Sequence, residues 1–259
     1  EQRRRRERGE EGGGLVAIDA SGAGADDQVT IDASAFTAAL NINTGGAADH
    51  IVLGAGGSVV NAGGGDNTLT IGAANDGIEN DDITTGSGDD YVLTTDAQLT
   101  ANLGISAGGG TDTLEVSSDA SVVDADLAGL GNVERLLLGA NAGDDAQSVT
   151  LAGNAAAAGI NTVAVVDSAL ADAITLDASG FNNALTVNTG AGNDLITLGS
   201  GGSVVDAQGG DNVITVGAAN DGSHDDHITT LGGDDHIIVS DAQLSQFLSV
   251  AAGAGIDIA

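Results

Sequence analysis

Along most of the chain, short apolar runs alternate with glycine-rich polar runs on a nine-residue rhythm. Asp49, Ser58, Asn67 and Asp76 are each nine apart, and an apolar residue follows each by two: Ile51, Val60, Leu69 and Ile78. Five extra residues intervene before Asp81 and Asp90 resume the rhythm with Ile83 and Val92, and a further element ends in Asp112 and Leu114. A second series comprises Asp194, Ser203, Asn212, Asp221, Asp226, Asp235 and Asp257; Ser223 breaks its pattern after Asp221. Within each unit the alternation has period two, which predicts a strand with Ile51 and Leu53 inward and Val52 outward. The same reading turns Ile214 and Val216 inward and Thr215 outward. Glycine commonly sits two residues before the polar position, as at Gly56, Gly65, Gly88, Gly110, Gly192, Gly201, Gly210 and Gly233, and supplies turn dihedrals closed to other residues. Each unit is therefore a turn plus a short strand, and two units make a coil of 18 residues. The fold expected is all-β: a right-handed parallel β-roll or β-helix, with Asp49 stacked near Asn67 on one edge and Ser58 near Asp76 on the other.

A longer repeat encloses the short one. Residues 29–114 align with residues 174–259 without a gap at an offset of 145. VTIDASAFTAALNINTGGAADHIVLGAGGSVVNAGGGDNTLTIGAANDG answers to ITLDASGFNNALTVNTGAGNDLITLGSGGSVVDAQGGDNVITVGAANDG, and the tetrapeptide Asp96-Ala97-Gln98-Leu99 to Asp241-Ala242-Gln243-Leu244. This gives a charged arm at 1–14, a first solenoid block at 15–114, a β-rich spacer at 115–173 and a second block at 174–259. In the spacer, residues 133–138, 149–151 and 162–166 read as strands and residues 124–131 as a short helix or irregular turn. The pattern is that of a piece of a longer tandem array.

Charge changes this picture. Six basic residues face 38 acidic ones for a formal net charge of −32. Five of the arginines lie in the first eight residues, leaving Arg135 as the single basic residue from Leu15 onward. Such a chain is repelled by nucleic acid and by anionic membranes, and its self-repulsion opposes compaction. Something cationic is expected to neutralise the folded state. No run approaches the roughly 18 apolar residues of a membrane span, so no membrane insertion is expected. Cysteine is absent, which excludes a disulfide framework. The arginine-rich start has no apolar h-region and reads as a tag, linker or remnant.

The glycine- and aspartate-rich units carry a resemblance. Gly86-Ser87-Gly88-Asp89-Asp90-Tyr91-Val92, Gly108-Gly109-Gly110-Thr111-Asp112-Thr113-Leu114, Gly190-Ala191-Gly192-Asn193-Asp194-Leu195-Ile196 and Gly253-Ala254-Gly255-Ile256-Asp257-Ile258 resemble the nonapeptide G-G-x-G-x-D-x-U-x of the RTX (repeats-in-toxin) family. The resemblance implies Ca²⁺ held between successive coils by aspartate carboxylates and free turn carbonyls, since calcium is a hard cation taking six to eight oxygens. Carried over by position, the implied ligands are Asp49, Asn67, Asp90, Asp112, Asp194, Asn212, Asp235 and Asp257, with Asp66, Asp89, Asp211 and Asp234 as second choices. The inserts add Asp76 with Asp81 and Asp221 with Asp226 as oxygen-dense candidates. Three departures argue against one unbroken row of ions: Ser58 and Ser203 replace aspartate, Ala47 replaces glycine before Asp49, and the insert interrupts the rhythm.

No nucleophile is backed by a base. His50 and His236 occupy outward strand positions, and His224 and His227 lie in the acidic insert of the second copy alone. The paired carboxylates have no apolar pocket to separate their pKa values for acid–base work, and the glycine runs carry acid where a phosphate loop needs lysine. The expectation is a non-enzymatic, calcium-binding repeat of a secreted bacterial cell-surface protein (S-layer, coat or filament) that self-associates into a sheet or filament. The spacers resemble those of large S-layer and surface-adhesin proteins, which adds surface polysaccharide as an anchoring partner. The family resemblance further implies unfolded export by type I secretion and folding on extracellular calcium. The alternatives are the stalk of an RTX adhesin and the carrier region of a secreted hydrolase or toxin.

Overall fold

The computed structural model describes residues 16–72, 81–117, 120–139, 146–165, 172–217, 225–239 and 248–256. Every strand pairing in it is parallel, and the strands form three sheets along a β-solenoid. Sheet 1 has six strands, from Ala17–Ala23 through Asn41–Gly45, Val59–Gly63, Asp82–Thr84 and Gly104–Ser106 to Leu130–Gly131. Sheet 2 has eleven and runs from Thr30–Asp32 to Leu248–Ala251. Sheet 3 has six, beginning at Ser121–Val122 and ending with Leu195–Thr197, Val213–Thr215 and His236–Ile238. Sheet 2 continues unbroken through the spacer, so the sequence blocks are stretches of one solenoid.

The two-residue alternation sets the core. In sheet 2, Ile31, Ile51, Leu69, Val92, Leu114, Leu136, Val163, Val187, Val205 and Ile228 pair in register as one buried column. Like side chains stack because each coil repeats the last; β-branched and leucine side chains fill the column, and Phe181 is a buried aromatic elsewhere in the core. Leu53 and Val216 are buried as their positions in the alternation predict.

The spacer changes the number of strands per coil. Up to Thr113–Val116 the chain alternates between sheets 1 and 2; it then visits sheet 3 at Ser121–Val122, sheet 1 at Leu130–Gly131 and sheet 2 at Arg135–Leu138. From Gln147–Thr150 onward it alternates between sheets 3 and 2. The second copy is thereby turned by one side relative to the first: His50–Val52 lies in sheet 2, whereas its counterpart Leu195–Thr197 lies in sheet 3. The spacer strands expected from the sequence form at Arg135–Leu138, Gln147–Thr150 and Thr162–Val165, and a 3₁₀ helix covers Asp124–Gly129. A short α-helix, Gly153–Ala158, is one element the sequence pattern did not announce. The Asp124 carboxylate of the preceding coil accepts the amides of Ala152 (2.7 Å), Asn154 (3.1 Å) and Ala155 (2.9 Å), satisfying the start of that helix from outside it.

The turns are tighter than open glycine loops. Parallel bridges join Gly64, Ser87 and Gly109, and likewise Gly209, Gly232 and Ala254. The carbonyls of Gly45, Gly63 and Gly86 accept the amides of Gly64, Ser87 and Gly109 at 2.9, 3.2 and 2.9 Å. Gly86 shows why glycine is needed: its φ is 99°, and a Cβ would lie 1.6 Å from the Gly63 carbonyl oxygen. Gly109, in the next coil, has open space around its missing Cβ. Gly86→Ala is expected to destabilise the solenoid by more than the ~1–2 kcal/mol of the left-handed conformation alone, whereas Gly109→Ala stays within about 0.5 kcal/mol of the parent. Urea denaturation of the two variants checks this difference.

Candidate carboxylate ladder

Two files of polar side chains run along the turns that lead into the strands. The inner file is buried and made of the residues just before each strand. Val29 donates its amide to Asp49 Oδ1 (2.7 Å), Asp49 to Asn67 Oδ1 (3.0 Å), Asn67 to Asp90 Oδ1 (2.8 Å), Asp90 to Asp112 Oδ1 (2.8 Å) and Asp112 to Glu134 Oε2 (2.8 Å). Each side chain thus reaches back one coil. The second copy repeats the file on sheet 3, with Ile174 donating to Asp194 (2.8 Å), Asp194 to Asn212 (3.0 Å) and Asn212 to Asp235 (3.0 Å). On the opposite edge Ser58 donates to Asp81 Oδ1 (2.7 Å) and Ser203 to Asp226 Oδ1 (2.8 Å). Ser58 therefore meets Asp81, beyond the insert; Asp76, its expected neighbour, lies outside the described residues.

The outer file is exposed and runs the other way. Asp66 Oδ1 accepts the amide of Asp89 (2.8 Å), and Asp89 Oδ1 that of Thr111 (2.7 Å). In the second copy Asn193 accepts from Asp211 (2.8 Å), Asp211 from Asp234 (2.8 Å) and Asp234 from Ile256 (2.9 Å). The turns at residues 66–67, 89–90, 193–194, 211–212 and 234–235 are thus stapled in both directions by side-chain oxygens.

All the candidate residues that lie in the described segments belong to one of these files or to the opposite edge. Asp76, Asp221, Asp257 and His224 lie outside the described residues. The sequence reading missed Glu134, which ends the inner file of the first copy, and the threonines behind it. Thr189 donates its hydroxyl to Asp194 Oδ2. Thr85, beside Asp90, instead donates to the Ala107 carbonyl (2.8 Å), and Thr44 to that of Ala62 (2.9 Å). Recurrence of threonine five residues before the motif aspartate was the signal available. Gln98 explains the Asp-Ala-Gln-Leu tetrapeptide: its amide donates to the Gly72 carbonyl, while its oxygen accepts the Thr95 amide at 2.9 Å.

The electrostatics of the inner file are strained. Oδ2 of Asp49, Asp90 and Asp112 is buried without a hydrogen-bond partner. Burial raises the Asp90 carboxyl above the usual carboxylate range, opposed first by its contact with Thr85 and then by the Asn67 amides, with the Asp66 charge adding to the rise. Asp112 is pushed up to about 6, first by burial and then by the charges of Asp90, Glu134 and Asp89, against the Asp90 amide. Asp194 rises to about 7 through burial, opposed by Thr189 and the Ile174 amide. Asn67 relieves the crowding by placing a carboxamide between Asp49 and Asp90, and its Nδ2 donates to Asp90 Oδ1 at 3.0 Å and to the Gly65 carbonyl at 2.8 Å.

The fit to calcium is partial. Among the described residues no three histidine or carboxylate side chains converge as a metal-binding group. One oxygen of each inner-file aspartate is committed to an amide, and turn carbonyls expected to be open accept amides of the next coil. The spare carboxylate oxygens are the donors that remain. His50, His227 and His236 are exposed on strand faces. Two matching hollows at the strand ends, of about 520 and 350 Å³, are lined by neither carboxylate nor histidine. No described helix is long and apolar enough to cross a membrane. Compared with models of protein families, with curated proteins and with solved structures, the chain matches none.

Two predictions follow from the ladder. Because the folded carboxyls of Asp112 and Asp194 bind protons more tightly than in the unfolded chain, their contribution is fully present below about pH 4 and is lost as pH rises through 6 and 7. In chelator, the melting temperature should fall between pH 4.5 and pH 7.5, and Asp194→Asn should flatten that fall. Asn67→Asp places three carboxylates on consecutive coils and should destabilise the chelated protein at pH 5.5, where burial-raised carboxyls still hold protons and the parent is folded, by about 1–2 kcal/mol. Denaturant titration reads this, and an unchanged midpoint would contradict the ladder's charge crowding.

Proposed function

We propose that the chain is a calcium-stabilised structural module of a secreted cell-surface protein, an RTX-like repeat that folds outside the cell and assembles into a coat or filament. The observation that carries this reading is the buried file Asp49, Asn67, Asp90, Asp112, in which each aspartate keeps one oxygen without a partner. Buried carboxylates stacked one coil apart call for protons or cations, and oxygen-only donors in an adaptable backbone suit calcium better than a softer or smaller ion. The donors would be the spare oxygens of the inner file, the neighbouring outer-file carboxylates Asp66, Asp89, Asp211 and Asp234, and the acidic inserts at 76–82 and 221–226. Metal that binds the folded chain alone stabilises it by mass action, in proportion to the number of independent sites. With a net charge of −32 and little else to offset it, the equilibrium between open chain and solenoid then follows external calcium. Export in the open state is the physiological counterpart of that equilibrium.

Circular dichroism at pH 7.5 tests the reading directly. Excess EGTA should give a coil spectrum, millimolar calcium a β spectrum, and millimolar magnesium little recovery. A β spectrum unchanged by chelator sinks the calcium dependence.

A further inference from the structure

The one-side turn between the copies has a consequence for how the solenoid meets other molecules. In the first copy the outward side chains of His50–Val52, Thr68–Thr70 and Tyr91–Thr94 are His50, Val52, Thr68, Thr70, Tyr91 and Leu93, on sheet 2. Their counterparts in the second copy are Leu195, Thr197, Val213, Thr215, His236 and Ile238, on sheet 3. In a chain with 38 acidic residues, neither group of six contains a carboxylate. The other strand face of each copy does, at Asp82 and Asp206. The face of the second copy also carries exposed apolar surface, Leu195 at 46% and Ile238 at 41%, and the first has Val52 and Leu93 half-buried. Acid resumes at the borders, with Glu115 accepting a hydrogen bond from Tyr91 on one and Asp177 on the strand beside the other.

We infer that these two faces are contact surfaces for further copies of the same chain, joining solenoids side by side in two directions. Two polyanions approach each other with least repulsion where neither carries charge, and an uncharged face offers a cationic partner nothing that the acidic turns do not offer better. A flat face of parallel strands has a regular spacing of about 4.8 Å between side-chain rows, so two like faces present matching ridges and grooves. One such face per chain would close a pair. Two like faces on different sides leave one always open, so association continues into rows one solenoid thick. The spacer's three-strand coil, which first visits sheet 3, is what carries the second face to that sheet. Each face spans three strands, well below the ~800 Å² per partner of a stable interface, so single contacts are weak and strength comes from repetition.

This inference rests on the structural role proposed above for its choice of partner but does not require calcium. Sedimentation velocity across a wide concentration range, in calcium and 0.15 M salt, tests it. The parent chain should form open-ended oligomers at high concentration. Leu195→Glu with Thr215→Glu should stop association at dimers, as should Thr68→Glu with Thr70→Glu, and all four together should give monomers. Val59→Glu, at an equally exposed apolar position on sheet 1, should leave association unchanged. Circular dichroism of each variant confirms folding, and Thr197→Glu replaces Leu195→Glu should the latter unfold. A parent chain that stays monomeric near millimolar concentration, or a Val59→Glu effect equal to the others, overturns the inference. Association without any calcium response in the dichroism experiment would leave it standing while removing the calcium reading.

Discussion

A solenoid repeats whatever its turn contains at the spacing of its strands. Placing an aspartate at the same position of every turn sets carboxylates about 4.8 Å apart, where two full charges repel by about 3.5 kcal/mol at an effective dielectric near 20. Burial makes matters worse, because each charge also leaves water. The chain answers this constraint locally. An amide from the previous coil points at each inner-file carboxylate, Asn67 and Asn212 stand between aspartates, and the carboxyls of Asp112 and Asp194 hold their protons toward neutral pH.

The same constraint reaches the fold. By turning the second copy one side round, the spacer moves its inner file from sheet 2 to sheet 3. The first file ends at Glu134 and the second begins at Asp194 on another edge, so the two columns of charge do not add end to end. Asp124 is used differently, as the acceptor for three amides at the start of Gly153–Ala158. There a carboxylate meets the positive end of a helix. The spacer is thus the region where acidity is spent on a corner and not on a column.

Much of this was legible in the sequence because a solenoid's periodicity is local. The nine-residue rhythm located strands of the two blocks and their buried apolar residues, such as Ile51, Leu69, Val92 and Ile228, and the offset of 145 located the second copy. The pairing of Asp49 with Asn67 followed from an 18-residue coil. What the rhythm could not supply was which aspartate after the five extra residues faces the far edge: Ser58 meets Asp81. Glycine content suggested open turns with free carbonyls, yet the positive φ of Gly63, Gly86 and Gly108 serves close coil-to-coil bridging. Spacing alone does not distinguish a glycine that exposes backbone from one that lets backbones touch. The alanine-rich helix at Gly153–Ala158 escaped because six residues are too few to show a helical period.

The side chains of the inner file carry an argument about charge that geometry by itself does not. Asn67 and Asn212 accept an amide through the same oxygen, at the same register, as the aspartates around them. A carboxamide therefore satisfies the ladder completely, and its Nδ2 adds a donor that a carboxylate lacks. If stapling the turns were all these positions did, asparagine at every one would hold the coils together without repulsion or raised pKa values. Asp90, Asp112 and Asp194 instead keep carboxyls that burial raises, so their ionisation costs stability as pH rises. A charge retained at a cost, with its second oxygen bare at Asp49, Asp90 and Asp112, is what a chain needs if its closed form is to depend on something arriving from solution.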